Sequence, residues 1–250
     1  MITTVSIYEM YRIINEEHRN PHSVLGMHEV LNGGKEMLSV RVFAPGAKAV
    51  TVIEKKGRKK EFEAQLIHDD GFFEAVITSR KKWFPYTLRI EYNDGNIYET
   101  ADKYSFRPTV SEYDRYLYGA GTHYEIYKKL GAHLCNVDGT DGVSFAVWAP
   151  NAKSISIVGS FNYWDGRTAQ MRMLGNSGIW ELFVPEAAEF DKYKFRIKDR
   201  NGKTVDKSDP FGFYSEIRPM KASIVYDLGV YHWKDSEWLE KREKSDVYRE

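Results

Sequence analysis

Hydrophobic and polar residues alternate over short stretches along much of this 250-residue chain. The stretch KYKFRIK at 192–198 alternates apolar and basic residues, and VRVF at 40–43 begins with the same period. A period of two is expected of half-buried antiparallel strands. Turn sequences separate such stretches, among them APG at 44–46, NDG at 93–95 and RNG at 200–202. The pattern therefore predicts an all-β fold.

The strand pattern occurs twice. VRVFAPGAKAVTVI at 40–53 aligns with FAVWAPNAKSISIV at 145–158, and YTLRIEYNDG at 86–95 aligns with YKFRIKDRNG at 193–202. Two copies of about 100 residues, each with several short strands, are typical of β-sandwiches. We therefore predict two tandem immunoglobulin-like β-sandwiches preceded by a short N-terminal helix.

Helical patterns are scarce. One helix is predicted over 6–18, with apolar residues 7, 10, 11 and 14 on one face and Asn20-Pro21 ending it. Ser111 is placed to cap a short connecting helix within 111–121. The stretch 232–250 is highly charged and has no β pattern. We divide the chain into an N-terminal sandwich (1–110), a second sandwich (111–228) and an exit linker (229–250).

Charge and cysteine content narrow the range of partners. Lys plus Arg equals Asp plus Glu at 36 each, so nothing in the balance indicates nucleic acid or an anionic membrane as a partner. The N-terminus has no basic segment followed by an apolar run, and no stretch approaches the roughly 18 apolar residues of a membrane span. A single cysteine excludes an internal disulfide. We expect an uncharged ligand and a cytoplasmic location.

No motif indicates a metal, a cofactor or a catalytic group. His18, His22 and His28 are close in sequence, but Pro21 prevents a helical histidine pair and no cysteine completes a ligand set. Neither a G-x-S-x-G nucleophile nor a glycine-rich phosphate loop is present. Cys135 is expected in a loop, as a small core or surface residue.

Carboxylates are abundant, but none forms an evident catalytic pair. A glycosidase needs two carboxyl groups roughly 5 to 10 Å apart. The candidates lie in sequences typical of turns, where solvated carboxylates are expected; they are Asp69, Asp70, Asp138, Asp141, Asp206 and Asp209. We therefore predict that this chain is not catalytic by itself.

One stretch combines aromatic and polar side chains as a sugar site requires. SISIVGSFNYWDGR at 154–167 begins as a strand and ends with Asn162, Trp164 and Asp165 close together. A glucan presents C–H faces that pack on aromatic rings, and hydroxyl groups that bond amides, carboxylates and ammonium groups. The stretch supplies both kinds of group within a few residues.

This second copy resembles a carbohydrate-binding module of family 48, and the whole chain is similar to the N-terminal part of bacterial glycogen branching enzymes. The resemblance rests on motifs spread over almost the full length: NPHSVLGMH (20–28), GAGTHYEIYKKLGAH (119–133), GVSFAVWAPNAKSISIVGSFNYWDGR (142–167), SGIWELFVP (177–185), YKFRI (193–197) and KSDPFGF (207–213). The resemblance implies a (β/α)₈ barrel that cuts α-1,4 chains and rejoins them through α-1,6 bonds. Such a barrel takes about 250 residues, whereas 22 follow residue 228 here. The family's nucleophile Asp and acid/base Glu are thus expected outside this chain.

The resemblance also implies binding residues. It carries sugar stacking over to Trp164 and hydroxyl bonding to Lys194, with Asn162 as a neighbouring candidate. Related glycogen-sensing modules place a second Trp after an Asp-Gly turn, where this chain has NGKTVD at 201–206; binding through this face is therefore expected to be weak. The first copy has IEKKGR at 53–58 in place of the aromatic loop, so we expect it to act as a spacer or contact domain.

Several aromatic residues are also candidates for structural roles. Trp164 has the alternative of an aromatic cap that seals the sandwich edge. Trp148 is a candidate for either domain contact or sugar contact, whereas Trp180 and Phe161 are predicted in the core.

The sequence also allows two alternative functions. The sandwiches are alternatively protein-interaction modules that dock onto a separately encoded glucan-active enzyme, with Trp148, Trp233 and Trp238 at the interface. A debranching or trehalose-forming relative is disfavoured, because such enzymes usually carry one module of this kind.

Overall fold

The computed structural model describes residues 3–57 and 59–245 of the chain. Three α-helices and sixteen strands occur in these ranges. The helices are α1 (Ile7–Ile14), α2 (Glu112–Gly119) and α3 (Ser236–Lys244). The strands of the first half are β1 (Gly26–Asn32), β2 (Lys35–Phe43), β3 (Ala47–Glu54), β4 (Glu61–His68), β5 (Phe72–Ile77), β6 (Tyr86–Tyr92) and β7 (Ile97–Thr100). The strands of the second half are β8 (Gly131–Val137), β9 (Thr140–Trp148), β10 (Ser154–Gly159), β11 (Arg172–Met173), β12 (Ile179–Val184), β13 (Lys192–Lys198), β14 (Thr204–Lys207), β15 (Tyr214–Ser215) and β16 (Ser223–Ile224).

The first sandwich is one antiparallel sheet folded over on itself. Its strand order is β1-β2-β5-β4-β3-β6-β7, and β4 pairs with both β5 and β3. The buried core lies between the two halves and includes Val40 of β2, Val52 of β3, Phe73 of β5 and Leu88 of β6. Alternation in these strands thus places one face of each half in the core.

The second sandwich has two separate sheets. One has the order β11-β12-β9-β8, and the other runs β10-β13-β16-β15 with β14 also paired to β13. Their facing sides bury a core that contains Phe145 of β9, Trp180 of β12, and Tyr193 and Phe195 of β13. The fold is therefore all-β with two tandem sandwiches, as the sequence predicts.

The internal repeat is visible in the strand order. The order β8-β9-β12-β11 repeats β1-β2-β5-β4, and β10-β13-β14 repeats β3-β6-β7. A buried hydrogen bond recurs as well. Tyr86 Oη donates to Asp102 and Tyr193 Oη donates to Asp209, and each donor–acceptor distance is 2.5 Å. Burial raises the pKa of Asp102 and of Asp209. The expectation that Asp209 is a solvated turn carboxylate was wrong, since it lies in the core beneath Tyr193.

The first helix is shorter than predicted. It ends at Ile14 because Asn15 is its C-cap and Glu16 adopts a left-handed backbone with φ of 53°. Its buried side chains are Met10 and Ile13, whereas the predicted face included Ile7, which is exposed. The packed face of the helix is therefore centred on Met10 and Ile13 and differs from the predicted face.

The second helix and the C-terminal segment follow the sequence more closely. Ser111 caps α2 in a capping box with Asp114, as its position predicted.

The segment around Cys135 is strand β8, so the expectation of a loop was wrong. The charged C-terminal segment contains the exposed helix α3, and residues 246–250 of the predicted exit linker lie outside the described residues.

Polar contacts join the two sandwiches at the end of α1. Glu17 accepts ion pairs from Lys153 and Lys198 at 2.9 Å each, and these bonds lower the pKa of Glu17. Ser154 Oγ donates to the carbonyl of Glu16, and Gln170 Nε2 donates to the carbonyl of Ile13. These bonds connect the end of α1 with the second sandwich.

None of the helices in the described part of the chain is long and apolar enough to cross a membrane.

Candidate functional site

The loop that follows β10 holds two aromatic residues in an unusual backbone conformation. Tyr163 and Trp164 both lie in the left-handed region, with φ of 53° and 63°. Side chains with a Cβ adopt this region at a cost of about 1–2 kcal/mol per residue. The loop therefore persists only because other contacts stabilise it.

Asn162 supplies most of those contacts. Its Oδ1 accepts from the backbone N–H of Gly159 at 2.9 Å. Its Nδ2 donates to the carbonyls of Ile157 and Asp165 at 2.9 and 3.0 Å. Both N–H groups of the amide are thus bonded inside the loop, and Asn162 acts on the site by shaping the loop.

Trp164 is exposed and lies beside the partly buried Lys194. The Trp164 side chain is 39% exposed, and Lys194 Nζ lies 5.9 Å from the centroid of its ring. The register explains this proximity, since β10 pairs with β13 so that Val158 faces Lys194 at the base of the loop. Within residues 3–57 and 59–245, Lys194 has no carboxylate within salt-bridge distance, in contrast to its neighbour Lys192, which pairs with Glu216.

Asp165 closes the loop on the other side of Trp164. Arg167 donates Nε and Nη2 hydrogen bonds to its carboxylate at 2.7 to 3.1 Å. Partial burial alone would raise the pKa of Asp165, but the bonds from Arg167 outweigh it and lower the pKa. This carboxylate stays ionised and fixed at neutral pH.

Trp148 lies on a different surface from Trp164. It is the last residue of β9, in the sheet opposite to β10 and β13. Its ring is 48% exposed and packs edge-on against Tyr118 of α2, with centroids 6.0 Å apart, while Nε1 donates to the carbonyl of Ser177. The structure thus brings together Trp164, Lys194 and Asn162, and leaves Trp148 apart from them.

The remaining assignments are accounted for by packing. Trp180 is fully buried, and Phe161 is partly buried against the same core. The histidines are separate: His18 bonds Glu9, His28 Nε2 donates to the carbonyl of Leu25, and His22 lies against the Tyr104 ring. No group of three or more metal-ligating side chains occurs within the described ranges.

Comparison with known proteins gives the chain its family. Residues 6–104 match the family described as alpha-1,4-glucan branching enzyme GlgB, N-terminal domain. Residues 129–212 match carbohydrate-binding module 48, described also as the isoamylase N-terminal domain. The chain thus carries a GlgB-type N-terminal domain followed by a carbohydrate-binding module 48, the arrangement of the N-terminal region of 1,4-alpha-glucan branching enzymes.

Individual relatives agree with this branching-enzyme region. The 1,4-alpha-glucan branching enzyme GlgB of Trichodesmium erythraeum is 45% identical over 246 residues, which are 97% of this chain and 31% of the relative. GlgB of Thermosynechococcus vestitus is 45% identical over 244 residues, with the same shares covered. The chain therefore spans about a third of the length of the curated relatives it matches.

Solved structures add little. A pullulanase from Anoxybacillus sp. LM18-11 is similar over 83% of this chain and 28% of its own, with 14% identity and a TM-score of 0.36. This sequence identity and TM-score are too low to support a conclusion about function.

Sequence reasoning missed Tyr163 as part of the branching-enzyme region's loop surface. Its side chain is 87% exposed, the Trp164 side chain follows it directly, and both share the left-handed backbone. The signal available in sequence was its place between Asn162 and Trp164, in a motif otherwise assigned to sugar contact.

Proposed function

We propose that this branching-enzyme region binds α-1,4-glucan chains, such as glycogen and maltooligosaccharides, through the loop at 160–167. The observation that carries the proposal is the exposed Trp164 ring on a hydrogen-bonded loop, with the Lys194 ammonium 5.9 Å from its centroid. The ring packs on the C–H face of a glucose unit while the ammonium donates to its hydroxyl groups. The match of residues 129–212 to a carbohydrate-binding module supports this assignment.

Each predicted residue has a defined part in the proposal. Trp164 stacks on the sugar and Lys194 bonds its hydroxyl groups. Asn162 holds the loop in the binding conformation through its three hydrogen bonds. Trp148 stays a predicted contact on a separate surface.

The role proposed for the region in a whole enzyme is to organise domains and hold substrate. A catalytic (β/α)₈ barrel, in cis or in trans, cuts α-1,4 chains and rejoins them as α-1,6 branches in glycogen synthesis. Weak contacts at several points keep a long chain close to that barrel and raise its local concentration. We also propose that the two sandwiches and the linker are divided at residues 110 and 228, and that the location is cytoplasmic, as expected from the sequence.

Affinity electrophoresis in gels with and without glycogen tests the binding. We expect glycogen to retard the chain and the Trp164→Ala variant to lose this retardation, because the stacking surface is gone. Trp238→Ala is the matched control, since Trp238 is also exposed but lies on α3. Equal migration of the wild type with and without glycogen would remove sugar binding from the proposal.

A second function is favoured by a different observation. Large apolar side chains are exposed along the C-terminal part of the chain: Ile217, Met220, Leu228, Val230, Tyr231, Trp233 and Trp238. Contiguous exposed apolar surface is typical of protein interfaces. The alternative is that this surface docks a separately encoded glucan-active enzyme, in which case the isolated chain self-associates. Sedimentation velocity of the wild type and Trp233→Ala distinguishes the two, because sugar binding alone predicts a monomer for both.

A further inference from the structure

Three aromatic side chains of the second sandwich pack against one another at its surface. The rings of Phe190 and Tyr226 pack edge-on with centroids 6.1 Å apart, and the ring of Tyr226 also contacts that of Tyr214, with centroids 5.4 Å apart. Phe190 is 62% exposed and Tyr214 is 51% exposed, so both ends of the group are open to solvent. We call Phe190, Tyr226 and Tyr214 the aromatic patch.

The aromatic patch lies on the same sheet face as Lys194. Lys192 and Lys194 point to one face of β13, because they are two residues apart. Lys192 pairs with Ile224 of β16, which pairs with Tyr214 of β15, and residues directly opposite in neighbouring strands share a face. The other face of this sheet is the core, where Tyr193 is buried. Tyr214 therefore faces solvent on the same side as the two lysines.

Hydrogen bonds connect the region of the patch with the loop at 160–167. Ser160 Oγ donates to the carboxylate of Asp191 at 2.6 Å and accepts from the backbone N–H of Lys192 at 3.0 Å. These two partners directly follow Phe190 in the chain. The loop with the proposed stacking tryptophan and one end of the aromatic patch are therefore anchored on the same short segment.

The backbone of Phe190 indicates a use for its ring. Its φ of 69° lies in the left-handed region, which Gly or Asn adopts at lower cost. Its N–H donates to the carbonyl of Val225 at 2.8 Å, so the chain stays paired with the neighbouring segment in this conformation. A ring that lies mostly in water offsets little of the conformational cost. Strained residues that persist in this way are concentrated at functional sites.

The polar groups beside the patch suit a sugar better than a protein surface. Lys192 Nζ forms an ion pair with Glu216 at 2.9 Å. The ammonium group has three donors and the carboxylate has several acceptor sites, so the pair offers hydroxyl groups both kinds of partner. Aromatic rings beside such groups match the C–H faces and hydroxyl edges of a glucan. The core of a protein interface, by contrast, is depleted of charged residues.

The distance between the patch and the loop site fits an extended ligand. Lys194 lies two residues from Lys192 along β13, and Tyr214 lies two strands away from Lys192. At about 3.3 Å per residue and about 4.8 Å between strands, the backbones of Lys194 and Tyr214 are about 12 Å apart. A short oligosaccharide reaches one of the two places, whereas a chain of several glucose units covers both.

We infer that the aromatic patch is a second contact point for the glucan chain, on the same sheet face as Lys194. The inference rests on the proposed function and deepens it, because it makes the length of the chain a determinant of affinity. A short α-1,4-oligosaccharide occupies Trp164 and Lys194 alone. A longer chain continues across the sheet and packs on Phe190 and Tyr214.

Isothermal titration calorimetry of the whole chain with maltotriose and maltoheptaose tests this inference. Phe190→Asn removes the ring and supplies a residue that accepts the left-handed backbone, so the fold is retained. We expect it to weaken maltoheptaose binding about 2- to 10-fold, the range of one lost aromatic contact, and maltotriose binding less than about 2-fold. Phe190→Tyr keeps the ring and should bind both sugars like the wild type. Trp83→Ala is the matched control, because Trp83 is 51% exposed but lies on the first sandwich, between β5 and β6.

The outcomes separate the inference from the proposed function. If Trp164→Ala loses both sugars while Phe190→Asn and Tyr214→Ala bind both like the wild type, the second contact is wrong and the proposed function stands. If Phe190→Asn weakens both sugars equally, Phe190 acts through the bonds of Ser160 on the loop, and the second contact is again wrong. If the wild type binds neither sugar, both proposals fail. Circular dichroism of each variant checks the fold. Tyr214→Ala should give the same length-dependent loss as Phe190→Asn, and it tests the inference even if Phe190→Asn is unstable.

Discussion

Asn162→Ala should weaken glucan binding while leaving the sandwich folded. The substitution removes three hydrogen bonds of 2.9 to 3.0 Å that connect the amide with Gly159, Ile157 and Asp165. At about 1 kcal/mol each, these bonds contribute about 3 kcal/mol to the loop conformation. They offset the left-handed backbone of Tyr163 and Trp164, which costs about 1–2 kcal/mol per residue.

Without Asn162, the cost of about 2–4 kcal/mol for two left-handed residues is offset by two backbone hydrogen bonds that remain in the loop, from Trp164 to Gly159 and from Asp165 to residue 162, which contribute about 2 kcal/mol. The binding conformation is then disfavoured by about 0 to 2 kcal/mol and is populated roughly 3% to 50% of the time, so the apparent Kd rises by the inverse of that fraction, about 2- to 30-fold. The free energy of unfolding falls by at most about 2 kcal/mol, because water replaces part of the lost bonding in a half-buried loop. The loss of affinity is therefore expected in a chain that stays folded.

Two measurements on the same preparations check this prediction. Affinity electrophoresis over a series of glycogen concentrations gives the apparent Kd, and urea denaturation followed by far-UV circular dichroism gives the stability. Asn136→Ala is the matched control, because Asn136 also bonds the adjacent turn, through Asp141 and Gly139, but lies at the end of β8. Wild-type affinity in Asn162→Ala, together with lost binding in Trp164→Ala, would refute the idea that these bonds position the ring.

Two further predictions concern stability. Tyr193→Phe leaves the buried Asp209 carboxylate without its 2.5 Å hydroxyl donor, so urea denaturation should show a loss of about 1–3 kcal/mol in the free energy of unfolding. Hydrogen bonds from Ser111 and His123 outweigh the effect of partial burial and lower the pKa of Asp114 to about 2. Asp114→Asn should therefore cost about 1 kcal/mol at neutral pH, in the range of a helix cap, and the difference from wild type should shrink as the pH falls from 5 towards 2.

The sign of the pH effect follows from the direction of the shift. The folded-state pKa of Asp114 lies below its value of about 3.9 in the unfolded chain. Its contribution to stability is therefore present above that unfolded value and is lost as the pH falls through the folded value. A stability difference between the wild type and Asp114→Asn that stays constant down to pH 2 would contradict this sign. Unchanged stability in Tyr193→Phe would contradict the prediction for the buried hydroxyl bond.

The sequence by itself determined the architecture, because local patterns carry it. Period-two alternation and turn residues specify strands over a few positions, and the repeated blocks at 40–53 and 145–158 specify that two copies share one plan. Capping chemistry is equally local, so Ser111 predicted the start of α2. The family resemblance also named Trp164 and Lys194 as binding residues, but their proximity depends on the pairing of β10 with β13, which the structure shows.

Only the tertiary structure decided the features that depend on distant parts of the chain. Asp209 has the sequence context of a turn, but the Tyr193 ring covers it from a strand 16 residues earlier. The Asn162 amide could bond sugar hydroxyl groups by its chemistry, but it makes three hydrogen bonds with backbone groups instead. The ion pairs of Glu17 with Lys153 and Lys198 have no local signal, because they form where the end of α1 meets the second sandwich. The relative position of two folded units is set by contacts between residues far apart in sequence, and no periodicity within either unit encodes it.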